Sequence, residues 1–300
     1  MKKKKSIIST IILVLILIVG LSVMLYPIVS NWWNERVQTK AVAVYDKAVS
    51  ELSENKYYEI LKQAENYNAR LAEFNSPLVE YKKLTDYNKI LNISDTGVMG
   101  YVTIPKINVE LPIYHGTSAE VLNVAVGHLE GSSFPVGGKS THAVISAHRG
   151  LPSAKLFSDL NKLDKGDTFT ITVLNEILTY EVEDTFIIKP EDTEKLNIVQ
   201  GKDYVTLMTC TPYGVNSHRL LVRAHRIDTV YPNNIKVSAD AVQVDPMQVI
   251  PIVMAPLIIG LLVYWIFGGK PGKFPHDNPL SVFENNNKSD DNDKNNENKK

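Results

Sequence analysis

The chain has 300 residues, with 32 basic and 33 acidic side chains, a formal net charge of −1 and 44% hydrophobic residues. That length leaves room for one large domain or two small ones, and the balanced charge removes the electrostatic case for a nucleic-acid partner. One cysteine, Cys210, excludes an intramolecular disulfide.

Residues 1–6 include the run Lys2 to Lys5 and read as a cytoplasmic N-terminus. Residues 7–26 then form an apolar run of about 20 residues, enough to cross the hydrocarbon of a bilayer as a helix. A basic start before an apolar run also describes a cleaved signal peptide. This run is longer than a signal core and leads through Tyr26 and Pro27 to Trp32 and Trp33, which read as interfacial aromatics. A retained anchor is therefore the expectation.

Residues 27–96 read as an extracellular helical or lid region. Val37, Ala41, Val44, Ala48 and Leu52 recur at three- and four-residue steps, and Tyr57, Ile60, Leu61, Ala64, Tyr67 and Leu71 continue the stripe. Pro77 marks a break. Two or three helices that pack one face on a neighbour are expected, and no chemistry is visible in them.

The texture changes at Gly97. Runs at 100–105, 107–113, 141–148, 168–174, 177–183, 186–188, 204–208 and 220–227 are short, rich in β-branched residues and bounded by turn residues. Residues 174–177 resemble a hairpin turn, and brief helical pieces are expected near 119–126 and 154–163. About eight short strands predict a mainly β fold, a closed eight-stranded barrel over 97–230. A linker, 231–248, follows. Residues 249–267 form a second apolar block with Lys270 and Lys273 behind it, which predicts a second membrane helix and places both termini on the cytoplasmic side. The tail within 268–300 is dominated by Asn, Asp, Lys and Glu and is expected to be disordered.

Cys210 closes a β-type run, and position alone leaves two readings open: a buried hydrophobe or a reactive thiol. Among the seven histidines, His115, His128, His142, His148, His218, His225 and His276, the candidate is His148. It ends an apolar strand, where a polar side chain can line a cleft. The spacing of His142 and His148, with no second cysteine and no His-Glu-x-x-His, argues against zinc. A free thiol has a pKa near 8.5 (~8.5), so an imidazole is needed to hold a thiolate near neutral pH. Thiolate attack on an amide then creates an oxyanion that wants a cation or N–H donors. Arg219 would return close to Cys210 if the runs at 204–209 and 220–227 are adjacent antiparallel strands.

Residues 206–219, Thr-Leu-Met-Thr-Cys-Thr-Pro-Tyr-Gly-Val-Asn-Ser-His-Arg, resemble the signature of the sortases, membrane-bound cysteine transpeptidases of Gram-positive bacteria. Residues 100–107, 111–118, 126–131, 147–157 and 201–205 are similar to the class C, pilus-assembling sortases. The resemblance covers about 97–230, and a second membrane segment is also a class C trait. It implies Cys210 as nucleophile, His148 as acid–base partner and Arg219 as the residue that contacts the sorting signal and steadies the oxyanion. The implied substrate is an LPXTG-like signal on a secreted pilin, cut between Thr and Gly, with a pilin lysine amine as acceptor. No metal and no organic cofactor is implied. Anchoring of surface proteins to peptidoglycan is the alternative within the family, and a non-catalytic, membrane-tethered peptide-binding module the alternative outside it. One departure stands out: the Asp-Pro-aromatic tripeptide of a class C lid is missing, with Asp95 as a partial mimic or other residues of 75–97 in its place.

Overall fold

A computed structural model describes residues 2–93, 96–229 and 258–260. The chain divides into two compact units, Met1–Val237 and Ser238–Lys300. In the second, residues 258–260 are helical. The expected linker, the rest of the second membrane segment and the polar tail lie outside the described residues, as do Asp95 and His276.

The first unit opens on one long helix, α1 (Lys2–Ser50), which passes through Pro27. The apolar run and the start of the helical stalk are therefore one element. Its buried stripe is Gln38, Val42, Tyr45 and Val49, while Val37 and Val44 are exposed. The buried face is turned by one residue, about 100°, from the aliphatic stripe read in the sequence. Polar handles set this rotation. Tyr45 Oη donates to Met99 O (3.0 Å) and accepts from Leu174 N (2.7 Å), and Gln38 Nε2 donates to Val124 O (2.6 Å).

Helix α2 (Glu54–Ala72) starts at Ser53, whose side chain accepts from Lys56 N. It buries Ile60, Ala64, Tyr67, Asn68 and Leu71, close to the face the periodicity marks. Asn68 is its polar anchor: Nδ2 donates to Phe134 O (3.0 Å), and Phe134 N donates to Oδ1 (2.7 Å). Both backbone groups of a buried residue are thereby paired across the core. A short helix, α3 (Pro77–Glu80), and one-turn 3₁₀ segments at Tyr81–Lys83 and Tyr87–Lys89 complete the helical layer.

Eight strands follow: β1 (Val98–Ile104), β2 (Val109–His115), β3 (Val126–His128), β4 (Thr141–Ser146), β5 (Thr168–Val173), β6 (Glu176–Ile188), β7 (Asp203–Thr211) and β8 (His218–Ile227). They close into a barrel in the order β1-β2-β3-β4-β7-β8-β6-β5. Closure leaves no free sheet edge. Alternation along the strands sends Val102, Ile104, Leu111, Ile113, Ala143, Ile145, Phe169, Ile171, Val205, Leu207, Val222 and Ala224 into one core, which Ile60, Tyr67 and Leu71 of α2 join.

Three details differ from the sequence reading. The runs at 177–183 and 186–188 are one strand, β6, interrupted by a bulge between Val182 and Asp184. The bulge leaves Glu183 without a cross-strand partner and turns consecutive carboxylates toward one guanidinium, with Arg223 Nη2 3.1 Å from Asp184 and Nε 3.9 Å from Glu183. The helical piece near 119–126 is a single turn, α4 (Ala119–Leu122), followed by β3, which pairs in parallel with β2. Residues 154–163 form turns and one 3₁₀ turn, Leu160–Lys162. Their backbone, and that of Ser153 just before them, is bound elsewhere: Lys155 N donates to Asn31 Oδ1 (2.7 Å), Ser153 O accepts from Asn34 Nδ2 (2.7 Å), and Phe157 N donates to His148 O (3.2 Å).

Candidate active site

β4 and β7 run parallel, and their paired residues hold a constant register from Thr141↔Asp203 to Ser146↔Met208. The register persists past the end of β4. Ala147 N donates to Met208 O (3.1 Å), and Thr209 Oγ1 donates to Ala147 O (2.8 Å) across the same separation of 62 residues. His148 follows directly on Ala147, the last residue this register holds, at the end of the barrel where Cys210 lies. On the other side of β7, Cys210 pairs directly with Arg219 of β8, and Arg219 pairs with Ile188 of β6. Cys210 and Arg219 thus face each other across β7 and β8, with backbones about 5 Å apart, and His148 stands past the end of β4, on the other side of β7. All three are half-buried. Thr209 and Leu220, the inward neighbours of Cys210 and Arg219, are buried. Alternation places Cys210 and Arg219 on the outer face.

The loop between β7 and β8 is built to return the chain. Val215 N and Asn216 N both donate to Pro212 O, and Gly214 and Asn216 take positive φ (76° and 59°). Arg219 Nη1 donates to the carbonyls of Asn216 (3.2 Å) and His218 (3.1 Å), which holds the guanidinium at this loop.

Arg149, next to His148, is a residue that the sequence reading passed over. Its Nε donates to Ser158 O (3.2 Å), its Nη2 to Asn161 Oδ1 (2.8 Å) and its Nη1 to Thr211 Oγ1 (3.4 Å), and its guanidinium lies 5.9 Å from the centre of the Tyr213 ring. It ties the loop that begins at His148 to the end of β7, one residue past Cys210. Gly150 N donates to Ser158 Oγ (3.0 Å). Gly150 has φ +77°, and a Cβ there would lie 2.8 Å from the Tyr213 ring, so this position needs glycine twice over. The one legible signal was a charged residue directly after a strand-end histidine.

Leu78 of α3 is the second such residue. It packs against Val144, Ile188, Leu196 and Leu221, an apolar cluster outside the main core that Met208, Leu129 and Phe186 also join. The cluster holds Ile188, the β6 neighbour of Arg219, and Met208, two residues before Cys210. Tyr81 and Leu78 also close on Gly131, where a Cβ would lie 2.9 Å from the Tyr81 ring and 3.2 Å from Leu78 Cα. The segment 77–83 therefore covers the wall beside the Cys210–Arg219 pair, without the tripeptide that a class C lid would show.

The other well-placed histidines are saturated. His142 Nδ1 donates to Asn197 O (2.9 Å), and its Nε2 accepts from Thr206 Oγ1 (2.8 Å). Burial, reinforced by the charge of Arg223, lowers its pKa to about 4. His128 stacks on Phe134, donates from Nε2 to Ser133 O (2.8 Å) and accepts at Nδ1 from Tyr87 (2.9 Å). Burial lowers it to about 4 as well. Both stay neutral at ordinary pH. Among the described residues, no group of three His, Cys, Asp or Glu side chains could hold a metal ion.

The family model of the Sortase domain matches residues 102–227. Sortase D of Bacillus subtilis (strain 168) is 35% identical over 127 residues, which cover 42% of this chain and 61% of that protein. Sortase A of Streptococcus agalactiae serotype III (strain NEM316) is 32% identical over 117 residues, 38% of this chain and 47% of that protein. The chain thus spans less than two thirds of the length of these two relatives. Similarity to solved structures reaches further. Sortase C1 of Streptococcus agalactiae is 51% identical with a TM-score of 0.59, covering 64% of this chain and all 100% of that one. The sortase C of Streptococcus pneumoniae is 43% identical with a TM-score of 0.58, covering 64% of this chain and 99% of that one. With the barrel, its motifs and full coverage of a solved relative in agreement, the chain belongs to the sortase family, on its class C branch.

Proposed function

We propose that this protein is a membrane-tethered cysteine transpeptidase that cleaves an LPXTG-like sorting signal of secreted pilins and joins the acyl fragment to a pilin lysine. The observation that carries this reading is the pairing of Cys210 with Arg219, together with the β4–β7 register that leads the chain to His148 at the same end of the barrel. Identities of 42–51% to several solved sortases C, against 25–35% to curated sortases A and D, favour pilin joining over anchoring to peptidoglycan.

Cys210 acts as a thiolate paired with protonated His148. The thiolate attacks the Thr carbonyl of the signal, and the carbonyl electrons move to oxygen. A guanidinium has five N–H donors, so the two bonds from Arg219 to its loop leave donors for this oxyanion. Such donors are worth about 3–4 kcal/mol in comparable sites. Collapse of the intermediate breaks the Thr–Gly bond, the glycine amine leaves with the proton from His148, and a thioester remains on Cys210. A lysine ε-amine then attacks the thioester, His148 takes its proton, and an isopeptide bond forms as the thiolate departs. Arg149 and Gly150 position His148 by fixing its loop to β7. The reaction calls for no metal or organic cofactor.

The apolar half of α1 is the one helix among the described residues long and apolar enough to cross a membrane. It supports a tether; residues 249–267 as a second span and both termini inside are part of the proposal. Mixing purified pilin with the enzyme tests the reading. A ladder of covalent multimers that disappears in Cys210→Ala, with the barrel's circular dichroism retained, is the expected result. No ladder with any pilin, or a ladder that survives the substitution, contradicts it.

A further inference from the structure

We infer that α1 is a strut that holds the barrel at one height above the bilayer, with the loop after His148 and the paired Trp32 and Trp33 meeting the lipid headgroups. The inference rests on the membrane-tether reading above.

The helix that would cross the membrane does not end at its surface. It continues past Pro27, which lacks the N–H for one backbone bond, to Ser50 and is bonded to the barrel at successive levels. Asn31 and Asn34 hold the loop at Lys155 N and Ser153 O, Gln38 holds Val124 O, and Tyr45 holds Met99 O and Leu174 N. Such bonds leave little freedom for the barrel to swivel about the outer half of α1. They also make α1 a ruler. At 1.5 Å per residue, Asn31 and Asn34 stand about 8 and 12 Å beyond Tyr26, the last residue of the apolar run, and Tyr45 stands about 16 Å further along. The polar layer of a bilayer extends roughly 5–8 Å beyond the hydrocarbon. The loop is therefore held at the outer edge of the headgroups at Lys155 and a few ångströms above it at Ser153, while the β5–β6 turn at Leu174 stands well clear of them.

Side chains at that level fit the partner. Trp32 and Trp33 are 42% and 63% exposed although the helix beside them is docked, and Arg36 lies 4.1 Å from the centre of the Trp32 ring. Exposed tryptophans beside a cation suit a headgroup layer. Pro152 is the exposed point of the loop. Because the same loop begins at His148, the strut sets the height of the candidate site as well as that of the barrel.

The experiment uses the full chain with Cys210→Ala, which leaves no native thiol, reconstituted in nanodiscs of phosphatidylcholine and phosphatidylglycerol. A fluorophore is attached at Ser153→Cys or at Asn175→Cys, with thermal melting as the check on folding. Lipids with a nitroxide on the headgroup then act as quenchers. Quenching at 153 should exceed that at 175 by at least about threefold, given the 16 Å that separate the two levels on α1. Equal quenching at the two positions, or more at 175, overturns the strut. A chain that does not stay with the nanodiscs overturns the membrane tether itself, a failure distinct from equal quenching.

Discussion

The two ends of β4 carry histidines of opposite fate. His142, at its start, is 1% exposed, bonded at both ring nitrogens and held neutral. His148, just past its end, is half-buried and begins the loop beside the end of β7. They lie six residues apart in one apolar run, so periodicity cannot separate them. Burial and saturation do: an imidazole whose two nitrogens are already used has no site left for a substrate proton. The barrel thus uses one histidine for packing and, in the proposed function, leaves the other for chemistry.

The substitutions that break this contrast can be ordered by size. Cys210→Ala should lower transpeptidation by about 10⁴-fold or more, to background, in a peptide-joining assay. His148→Ala should cost about 10³–10⁴-fold with an unchanged melting temperature. His142→Ala should do the reverse. It leaves Thr206 Oγ1 and Asn197 O without their partner, so stability should fall by about 2–3 kcal/mol in urea titration while kcat/KM stays within a few-fold. Arg219→Lys keeps the charge but loses the planar fork, and kcat should fall by about 10²-fold with a smaller change in KM. Leu78→Ala should be the mildest. By uncovering the wall beside the Cys210–Arg219 pair it should raise the alkylation rate of Cys210 a few-fold, and an unchanged rate would show that 77–83 does not restrict access.

The pH dependence of stability sharpens the same comparison. In the unfolded chain, His128 and His142 bind protons below about 6.5. In the fold they do so only below about 4. Between those values the unfolded state holds more protons, so stability is lost as pH falls through the window, by on the order of 3 kcal/mol for each histidine. Asp203, whose carboxyl is raised chiefly by burial, acts in the opposite direction near the ordinary carboxylate range. Thermal melting between pH 7 and 4 should show a net decline, smaller in His142→Gln.

Much of the barrel was legible because its strands alternate: β1, β2, β4, β5, β7 and β8 stand close to where their apolar periods lie. β3 was not, since three residues are too few to show a period. The continuity of β6 was hidden by Glu183, which shifts the alternation by one residue at the bulge. The rotation of α1 was misread because it is set by the hydrogen bonds of Gln38 and Tyr45 to distant backbone, which no count of aliphatic residues contains. The candidate site was legible as three motif residues, while its supports were not. Arg149 reaches Thr211 across 62 residues, and Leu78 meets Leu221 from a segment with no motif of its own. Such contacts depend on the closed topology and have no local signature.

The most direct test of the central claim, that Cys210 carries the acyl group with His148 and Arg219 at its sides, is the intact mass of the enzyme after brief exposure to an LPXTG peptide. The account predicts an added mass equal to the peptide through its threonine, released by hydroxylamine, mapped to Cys210 and absent from Cys210→Ala. Peptide cleavage with no adduct at any time, or an adduct that persists in Cys210→Ala, would contradict it.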